Sequence, residues 1–488
     1  MNRRQHGSHR HSLRAIAHQV MIERGLWPDF SGRVEAEVAA LDGPAAPGKA
    51  RDLTAMPWCS IDNDDSRDLD QLTVAETAAG GAIRVRIAVA DVDAIVEKGT
   101  AIDEHARHNT TSVYTAAQIF PMLPEVLSTG ITSLNPGEDR LAIIIELLVG
   151  PDGSLDGSDV SLAAVHNHAQ LAYDAVAAWF EGQGPAPEPM TRVKGLSENL
   201  RLQDSAAQLL RRSRQEHGAL DFETLEPKAV FDGDQVSGLR IEEKNRARQL
   251  IEDFMIAANG VVARFFEAKR LPSLRRVVRV PKRWDRIVGV AALHGESLPG
   301  QPDSRALSQF LARMREKDRL RFPDLSLTII KLLGSGEYAV ERPGQAPPGH
   351  FGLAVRDYGH STAPNRRFPD LITHRLVKSA LAGGAPAYSV GELEELARHC
   401  TEQEDEADKV ERHVRKSAAA MLLESRIGER FDAVVTGAGE KGTWARILQP
   451  PVEGRIEQGF QGLDVGDRVR VELISVNVER GYIDFARA

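Results

Sequence analysis

The sequence predicts a multidomain α+β protein, because the pattern of its apolar residues changes twice along 488 residues. Residues 11–25 and 32–41 have apolar positions at helical spacing, and a Gly- and Pro-rich linker follows at residues 43–48. From residue 58 to about residue 149, short apolar or alternating runs indicate β-strands, and helical patterns then become frequent. From residue 430 onwards the chain returns to short strand-like pieces.

These changes divide the chain into three predicted regions. A small helical N-terminal unit with its linker covers residues 1–57, a mixed α+β domain covers residues 58–428, and an OB-fold β-barrel covers residues 429–488. The barrel is expected because five strand-like pieces are separated by glycines. In the mixed domain, helices are expected at residues 173–180, 198–216, 244–269 and 390–426.

The N-terminal unit leaves two interpretations open. Its basic residues could belong to a helix-turn-helix-like element that binds nucleic acid, or the unit could be only a structural cap. The basic residues concerned are Arg3, Arg4, Arg10 and Arg14.

Bulk composition limits the class of protein. Cys59 and Cys400 are the only cysteines, too few for a disulfide framework or a zinc cluster. No apolar stretch suited to a signal peptide or a membrane span follows the basic N-terminus, so a cytoplasmic protein without membrane association is expected. The net charge of −9 argues weakly against nucleic-acid binding. However, acidic residues concentrate at residues 62–70 and basic residues at residues 269–286, which suits a metal-dependent enzyme acting on a polyanion, although basic runs are often only solvated surface.

Residues 60–71 carry the most informative pattern, Ser-Ile-Asp-Asn-Asp-Asp-Ser-Arg-Asp-Leu-Asp-Gln. A strand is expected to end at Asp62, while Asp68 and Asp70 share one face of an extended chain. Carboxylates that converge repel each other unless they share protons or hold a cation. Oxygen ligands without His or Cys favour Mg²⁺ or Mn²⁺. The pattern therefore predicts phosphodiester hydrolysis with two metal ions, one activating water and the other stabilising the leaving oxygen.

The acidic cluster could also be an exposed acidic turn or a calcium-binding loop. A calcium loop of the helix-loop-helix type needs Gly at its sixth position and a bidentate Glu at its twelfth. Arg67 and Thr73 stand at those positions, which disfavours calcium. The spacing alone does not distinguish an exposed turn from a metal site.

Further blocks along residues 58–427 make the sequence resemble the catalytic RNB domain of the ribonuclease II and ribonuclease R family, whose signature is Ile-Asp followed by Asp-x-Asp-Asp. The resemblance implies a processive 3′-to-5′ exoribonuclease that hydrolyses single-stranded RNA to nucleoside 5′-monophosphates. It also implies one or two Mg²⁺ ions, with Mn²⁺ as a substitute, and a monomer is favoured. The blocks occur in the family's order at residues 111–114, 121–128, 133–136, 218–222, 250–259, 349–353 and 362–370.

The resemblance assigns the catalytic roles residue by residue. Asp62, Asp68 and Asp70 match aspartates that hold or orient Mg²⁺, and Asp70 is expected to be the most essential. Gln71 stands where the family usually has a fourth aspartate, and a neutral amide oxygen there would change metal affinity or the number of bound ions. Arg366 matches an arginine at the scissile phosphate, where a planar guanidinium stabilises charge.

The resemblance also assigns RNA contacts. Tyr114 and Phe222 match aromatic residues between which the last bases stack, which suits an enzyme that accepts every sequence. Tyr173 and Glu252 match contacts to the terminal ribose, through which RNA is preferred over DNA. Weaker candidates are Arg367 as a helper of Arg366, Glu411 by its position, and His350 and His374 as metal ligands or bases, although His350 is expected mainly to orient the loop before Phe351.

Departures from the family keep other functions open. The family usually has two cold-shock barrels before the catalytic domain, and the residues before Trp58 are too few for them. We therefore expect an open entrance that admits structured RNA with a short 3′ overhang. One alternative is an RNA-binding protein whose catalytic centre is weakened at Gln71, and another is a nuclease that acts on DNA.

Overall fold

A seven-stranded sheet lies at the centre of the computed structural model, which describes residues 8–225, 227–241, 244–319, 321–345, 349–439 and 442–488. The strand order is β1-β8-β7-β4-β3-β2-β9, and only the β1–β8 and β2–β9 pairs are parallel. The strands are β1 (Arg51–Asp52), β2 (Cys59–Asp62), β3 (Gln71–Thr77), β4 (Ile83–Ala90), β7 (Asp139–Val149), β8 (Leu155–His166) and β9 (Ala169–Ala172).

Helices cover the sheet and extend away from it. The helices α6 and α7 pack directly against its strands, because their apolar faces join the same hydrophobic core as β3, β4 and β7. The helices are α1 (His9–Glu23), α2 (Gly32–Ala39), α3 (Ala101–Asn109), α4 (Tyr173–Phe180), α5 (Glu188–Thr191), α6 (Leu196–Glu216), α7 (Arg246–Lys269), α8 (Trp284–Leu293), α9 (Ser304–Lys317), α10 (Phe322–Leu333), α11 (Phe368–Leu381) and α12 (Val390–Leu423).

The long helix α12 connects most parts of the molecule. It begins with a capping box, in which the Ser389 side chain accepts from the Glu392 backbone and the Glu392 side chain accepts from the Ser389 backbone. Along its length it contacts α1, the small hairpins and the C-terminal strands. The hairpins pair β5 (Val113–Tyr114) with β6 (Ile119–Phe120), β10 (Pro227–Asp232) with β11 (Gln235–Ile241), and β12 (Ser273–Val277) with β13 (Glu337–Glu341).

The C-terminal region forms a closed barrel of strand order β14-β15-β16-β18-β17, which confirms the expected OB-like fold. Its core is apolar and includes Phe431, Ile456 and Phe485. Arg446 donates to Asp324 of α10 at 2.9 Å, so the barrel is tied to the helical part of the molecule. The strands are β14 (Arg430–Gly439), β15 (Gly442–Ile447), β16 (Val452–Gln458), β17 (Arg468–Asn477) and β18 (Tyr482–Arg487).

The N-terminal helices are confirmed, but they do not pack chiefly on one another as a helix-turn-helix pair does. Helix α1 packs on α12, whereas α2 packs on α3, and their buried residues belong to different hydrophobic clusters. Arg3 and Arg4 lie outside the described residues. The domain boundaries stay predictions, and Arg51–Asp52 of the predicted N-terminal unit already pairs with β8.

Most basic side chains of the run at residues 269–286 are exposed, as expected of a solvated face, but two of its arginines are drawn into the fold. Arg275 is buried and pairs with Glu341, because β12 and β13 face each other with an ion pair between them. Arg276 pairs with Glu404 of α12, and Arg279 pairs with Glu337. Within the described parts of the chain, every helix is too short or too polar for a membrane span.

Candidate active site

The aspartates lie where two segments of the central sheet approach each other. Asp62 ends β2, and Asp68 and Asp70 precede β3. The segment between them is held by the loop that follows β6, since Leu69 N donates to Ser133 Oγ at 2.9 Å and Leu134 N donates to Leu69 O at 3.0 Å. The chain at Leu69 is therefore fixed by Ser133 and Leu134, which lie far along the sequence.

Asp70 is the deepest of the three, with 2% of its surface exposed. Its Oδ2 accepts from Arg366 Nε at 2.9 Å, and its Oδ1 accepts from the Asn365 backbone at 3.1 Å. Burial raises the pKa of Asp70 to about 7, while Arg366 opposes the rise and Asp68 adds to it. The structure thus places the predicted catalytic arginine directly on the predicted essential aspartate.

Asp68 meets the aromatic residue that the resemblance assigned to RNA. The Tyr114 hydroxyl donates to Asp68 Oδ2 at 2.9 Å, and the Tyr114 backbone N–H donates to Glu411 Oε1 at 2.8 Å. Burial raises the pKa of Tyr114 above its usual range, so its hydroxyl keeps its proton and acts as a donor. Glu411, a weaker candidate by sequence, is therefore a support for Tyr114.

Asp62 lies beside a third group of side chains. Its Oδ1 accepts from Asn63 N at 2.7 Å and from Ser66 Oγ at 2.9 Å, and burial raises its pKa. Tyr173, at the start of α4, is close enough that the charge of Asp62 raises the pKa of its hydroxyl, after the larger effect of burial. The predicted residues Asp62 and Tyr173 thus lie in one neighbourhood.

Arg248 belongs to this neighbourhood and was missed by the sequence reasoning. Its guanidinium lies 4.6 Å from the centroid of the Tyr173 ring and donates to Asn63 Oδ1 at 2.7 Å. It stands one helical turn before Glu252 on α7, so helical spacing from Glu252 was a signal that could have identified it. Its charge faces the same site as Asp62.

The loop that carries Arg366 is held by Asp370 in the first turn of α11. Asp370 Oδ1 accepts from Thr362 N at 2.7 Å, from Ala363 N at 2.8 Å and from Arg367 Nη2 at 2.9 Å. The positive end of the helix also favours a carboxylate there. Arg367 is therefore engaged inside the loop, and its predicted contact with substrate stays a prediction.

Asn365, immediately before Arg366 in the chain, is fully buried in this loop. Its side-chain oxygen accepts from Thr132 Oγ1 at 2.6 Å. The side-chain nitrogen of Asn365 is buried without a hydrogen-bond partner among the described residues, whereas its backbone N–H donates to Asp70 Oδ1 at 3.1 Å.

For three other predicted residues, the described hydrogen bonds and ring contacts include none to Asp62, Asp68 or Asp70. Phe222 packs partly buried against the cluster of α8, α9 and α10, and among the described rings it makes no contact with Tyr114. Glu252 is exposed on α7. Gln71 is buried as the first residue of β3, where neighbouring side chains of an extended chain face opposite sides. The binding of RNA or metal by these residues stays a prediction.

The two histidines have structural partners. His350 Nδ1 accepts from Leu353 N at 3.1 Å, so it orients the turn at Phe351–Leu353 as expected, and burial lowers its pKa to about 4. His374 is buried and bonds the Ser361 carbonyl oxygen through Nε2 at 2.8 Å. Both side chains are used to hold loops.

The donor set fits a hard cation by its chemistry, since Asp62, Asp68 and Asp70 offer only carboxylate oxygens. It is not a closed cage, because no group of three Asp, Glu, His or Cys side chains in the described ranges is arranged to hold a metal ion. Both oxygens of Asp70 already accept hydrogen bonds. A cation bound there would therefore compete with Arg366 for Asp70.

Comparisons with known proteins identify the family of both domains. Residues 50–383 match the model of the RNB domain, and residues 429–488 match the RNase II-type exonuclease C-terminal S1 domain. Ribonuclease R of Escherichia coli is 32% identical over 502 residues, which cover 94% of this chain and 60% of the relative. The chain thus spans about 60% of the length of that curated relative.

Solved structures share the fold. Mycoplasma genitalium RNase R in complex with ribose-methylated single-stranded RNA has a TM-score of 0.87 at 21% identity, covering 99% of this chain and 78% of that one. The same protein in complex with double-stranded RNA has a TM-score of 0.85 at 22% identity, covering 99% and 83%. Yeast Ssd1, a pseudonuclease, has a TM-score of 0.71 at 15% identity, covering 95% and 58%. Because the family match spans most of the chain and includes every aspartate of the site, this protein belongs to the RNB domain family.

Proposed function

We propose that this protein is a 3′-to-5′ exoribonuclease that hydrolyses single-stranded RNA processively to nucleoside 5′-monophosphates. The observation that carries the proposal is the Arg366–Asp70 pair at 2.9 Å, with Tyr114 bonded to Asp68 beside it. Acidic, cationic and aromatic groups from distant parts of the chain meet where β2 ends and β3 begins. Relatives that match most of the chain are ribonucleases R, which supports the reaction class.

The residues present can divide the work of phosphodiester cleavage. Mg²⁺ bound at Asp62, Asp68 and Asp70, with Gln71 as a further candidate ligand and Mn²⁺ as a substitute, would supply an activated water and charge stabilisation. Arg366 has 42% of its side chain exposed, so it can donate to a phosphate oxygen and stabilise developing negative charge. Asp370 and Asn365 keep the backbone of this loop in place while the guanidinium changes partners.

RNA would be held by groups that do not read the base. Tyr114 and Phe222 offer ring faces for stacking, which is independent of sequence. Tyr173 and Glu252 are proposed to contact the terminal ribose, and the 2′-hydroxyl gives the preference over DNA. A cytoplasmic location and a monomeric state stay predictions from the sequence.

The alternative is an RNA-binding protein without catalysis, and the likeness to a pseudonuclease fold is the observation that keeps it open. The retained Asp70–Arg366 pair favours the enzyme, because a pure binder has no need of a buried carboxylate that holds a half-exposed arginine. Purified protein, Mg²⁺ and single-stranded RNA labelled at its 5′ end decide between them. We expect mononucleotides and a shortened labelled strand, and bound but intact RNA would refute the enzyme. The same assay with DNA tests the sugar preference, since efficient degradation of DNA would contradict the ribose contacts.

We also propose that the enzyme enters structured RNA that has a short 3′ overhang. A relative with the same fold has been solved in complex with double-stranded RNA, which supports testing duplex substrates. The measurement is a series of hairpins with 3′ tails of increasing length, scored for products that have lost more nucleotides than the tail contains. Stalling at a constant distance before every duplex would limit the enzyme to single strands.

A further inference from the structure

The segment at residues 109–120 carries Tyr114 and touches the catalytic arginine loop. We call it the Tyr114 segment; it runs from the end of α3 through the β5–β6 hairpin. Ser112 N and Thr111 Oγ1 donate to the Arg366 carbonyl at 3.0 and 3.2 Å. Phe368 N donates to the Thr110 carbonyl at 2.8 Å. A shift of this segment would therefore move both Tyr114 and Arg366.

Trp27 of the N-terminal unit is hydrogen-bonded to Asn109, the first residue of this segment. Asn109 is 2% exposed, and its amide bonds both backbone groups of Trp27: Oδ1 accepts from Trp27 N at 2.8 Å, and Nδ2 donates to Trp27 O at 2.8 Å. The Trp27 ring stacks on His108, with ring centroids 3.7 Å apart and planes 7° from parallel. The Trp27 loop thus fixes the end of α3, where Thr110 turns into the left-handed region at φ 60°.

Helix α1 contacts the other end of the segment, the β5–β6 hairpin. Arg14 Nε donates to the Ala117 carbonyl at 3.2 Å, at the tip of the β5–β6 hairpin. Leu13 and Ala17 of α1 lie in one hydrophobic cluster with Val113 and Phe120 on the hairpin. The hairpin is only two residue pairs long, and so short a hairpin needs packing from outside to hold its shape.

The described arginines of α1 make contacts within the protein. The guanidinium of Arg10 lies 4.2 Å from the Phe231 ring centroid and 3.9 Å from Asp234, while Arg14 is bonded to Ala117. These groups are used for internal contacts, which disfavours α1 as a nucleic-acid-binding helix. The same helix is well placed to support the hairpin that presents Tyr114.

We propose that helix α1 and the Trp27 loop form a positioning brace that fixes the Tyr114 segment and, through it, Tyr114 and Arg366. The brace rests on the proposed function, because its effect is on the rate of RNA cleavage. Asn109, Trp27 and Arg14 are positioning residues that act through Tyr114 and Arg366. Small misplacements of catalytic groups are costly, so loosening the brace should slow cleavage more than it weakens RNA binding.

The first test separates cleavage from binding. Asn109→Ala and Arg14→Ala are compared with the wild type in single-turnover cleavage of a labelled single-stranded RNA, and RNA affinity is measured with each change in an Asp70→Asn background. We expect the cleavage rate to fall about 10-fold or more for Asn109→Ala and about 3-fold for Arg14→Ala, with affinity within about 2-fold. Arg14→Lys keeps a donor and should recover most of the loss.

Arg10→Ala is the matched control, because it removes a positive charge from the same helix without touching the Tyr114 segment. It should leave both rate and affinity unchanged. If Arg10→Ala and Arg14→Ala instead weaken RNA binding equally and leave cleavage of bound RNA intact, α1 is a binding element and the brace is refuted.

A second measurement keeps the brace testable apart from activity. Backbone amide exchange at residues 110–118 should speed up in Asn109→Ala and Arg14→Ala while exchange in the central sheet stays unchanged. If the wild type does not degrade RNA, the proposed function fails and this exchange pattern still decides the brace. Arg14 is exposed on its helix, so Arg14→Ala is expected to fold even if Asn109→Ala does not. Unchanged exchange in folded Arg14→Ala would overturn the proposal.

Discussion

Two arginines nine residues apart, Arg366 and Arg375, differ in how many hydrogen bonds their guanidinium groups make. Arg375, within α11, donates to Asp93, Asp103, the Tyr388 hydroxyl and the Val96 carbonyl at 2.7–2.8 Å, and its side chain is 3% exposed. Arg366, just before α11, makes one hydrogen bond from its guanidinium among the described residues, to Asp70, and is 42% exposed.

This difference indicates which arginine holds the fold and which can act on a ligand. All three nitrogens of the Arg375 guanidinium donate hydrogen bonds, so removing it would leave Asp103 buried without a cationic partner. Arg366 can keep or release Asp70 and still turn other N–H groups to an incoming oxygen. Both pair with buried carboxylates, and solvent access to the guanidinium is what separates them.

The largest expected effect is on catalysis, at the solvent-accessible Arg366–Asp70 pair. Asp70→Asn should lower the rate of RNA hydrolysis by at least about 10³-fold, because a neutral amide binds a metal cation more weakly than a carboxylate does. RNA affinity should stay nearly intact, since the stacking residues are unchanged. Single-turnover cleavage and equilibrium binding measure the two effects. Asp64→Asn, at an exposed aspartate of the same cluster, is the control, and near-normal turnover of Asp70→Asn would remove its assigned role.

The buried Arg375–Asp103 pair should instead affect the stability of the fold. Arg375→Met leaves Asp103 buried without its guanidinium partner, and loss of one member of a buried pair costs about 3–5 kcal/mol of unfolding free energy. Denaturant unfolding followed by circular dichroism measures the change. Arg192→Ala, which breaks the exposed Arg192–Glu188 pair, should cost less than about 1 kcal/mol. A wild-type midpoint for Arg375→Met would contradict the structural role.

Arg248 should give a smaller effect on substrate binding. Arg248→Ala removes the cation over Tyr173 near Asp62, and we expect the KM for RNA to rise about 3- to 10-fold with kcat less affected. Arg201→Ala removes a guanidinium that lies at the same 4.6 Å from a Trp179 ring elsewhere and is the matched control. Equal effects of the two changes would show that Arg248 contributes only packing.

The smallest expected effect concerns Gln71. Gln71→Asp restores the charge that the family usually has at this position. Because it would add one carboxylate ligand, it should lower the Mg²⁺ concentration for half-maximal activity roughly a few-fold. Gln71→Ala should raise that concentration if the amide oxygen is a ligand. Identical Mg²⁺ titrations for both variants and the wild type would show that residue 71 does not bind metal.

Local patterns predicted much of the fold. The helix at Tyr173–Phe180 was expected within the same bounds, and the five C-terminal strands were recognised from alternation and glycines. The helices α8, α9 and α10 were not expected, because they form a separate cluster between β12 and β13 with no distinctive motif. Charge pattern also did not predict that Arg275, within the basic run at residues 269–286, is buried against Glu341.

The sequence by itself determined which groups are available: the aspartates at spacing 62, 68 and 70, Arg366 in its motif, and the order of strands and helices that periodicity encodes. Only the tertiary structure decided which of these groups meet. Arg366 reaches Asp70 across 296 positions of chain, and Trp27 reaches Asn109 across 82. Such contacts depend on how distant elements pack against a shared core. The hydrophobic effect that drives this packing is non-directional, so residue spacing does not specify which distant elements meet. Spacing could therefore predict the chemistry of the site, whereas packing determined its neighbours and its support.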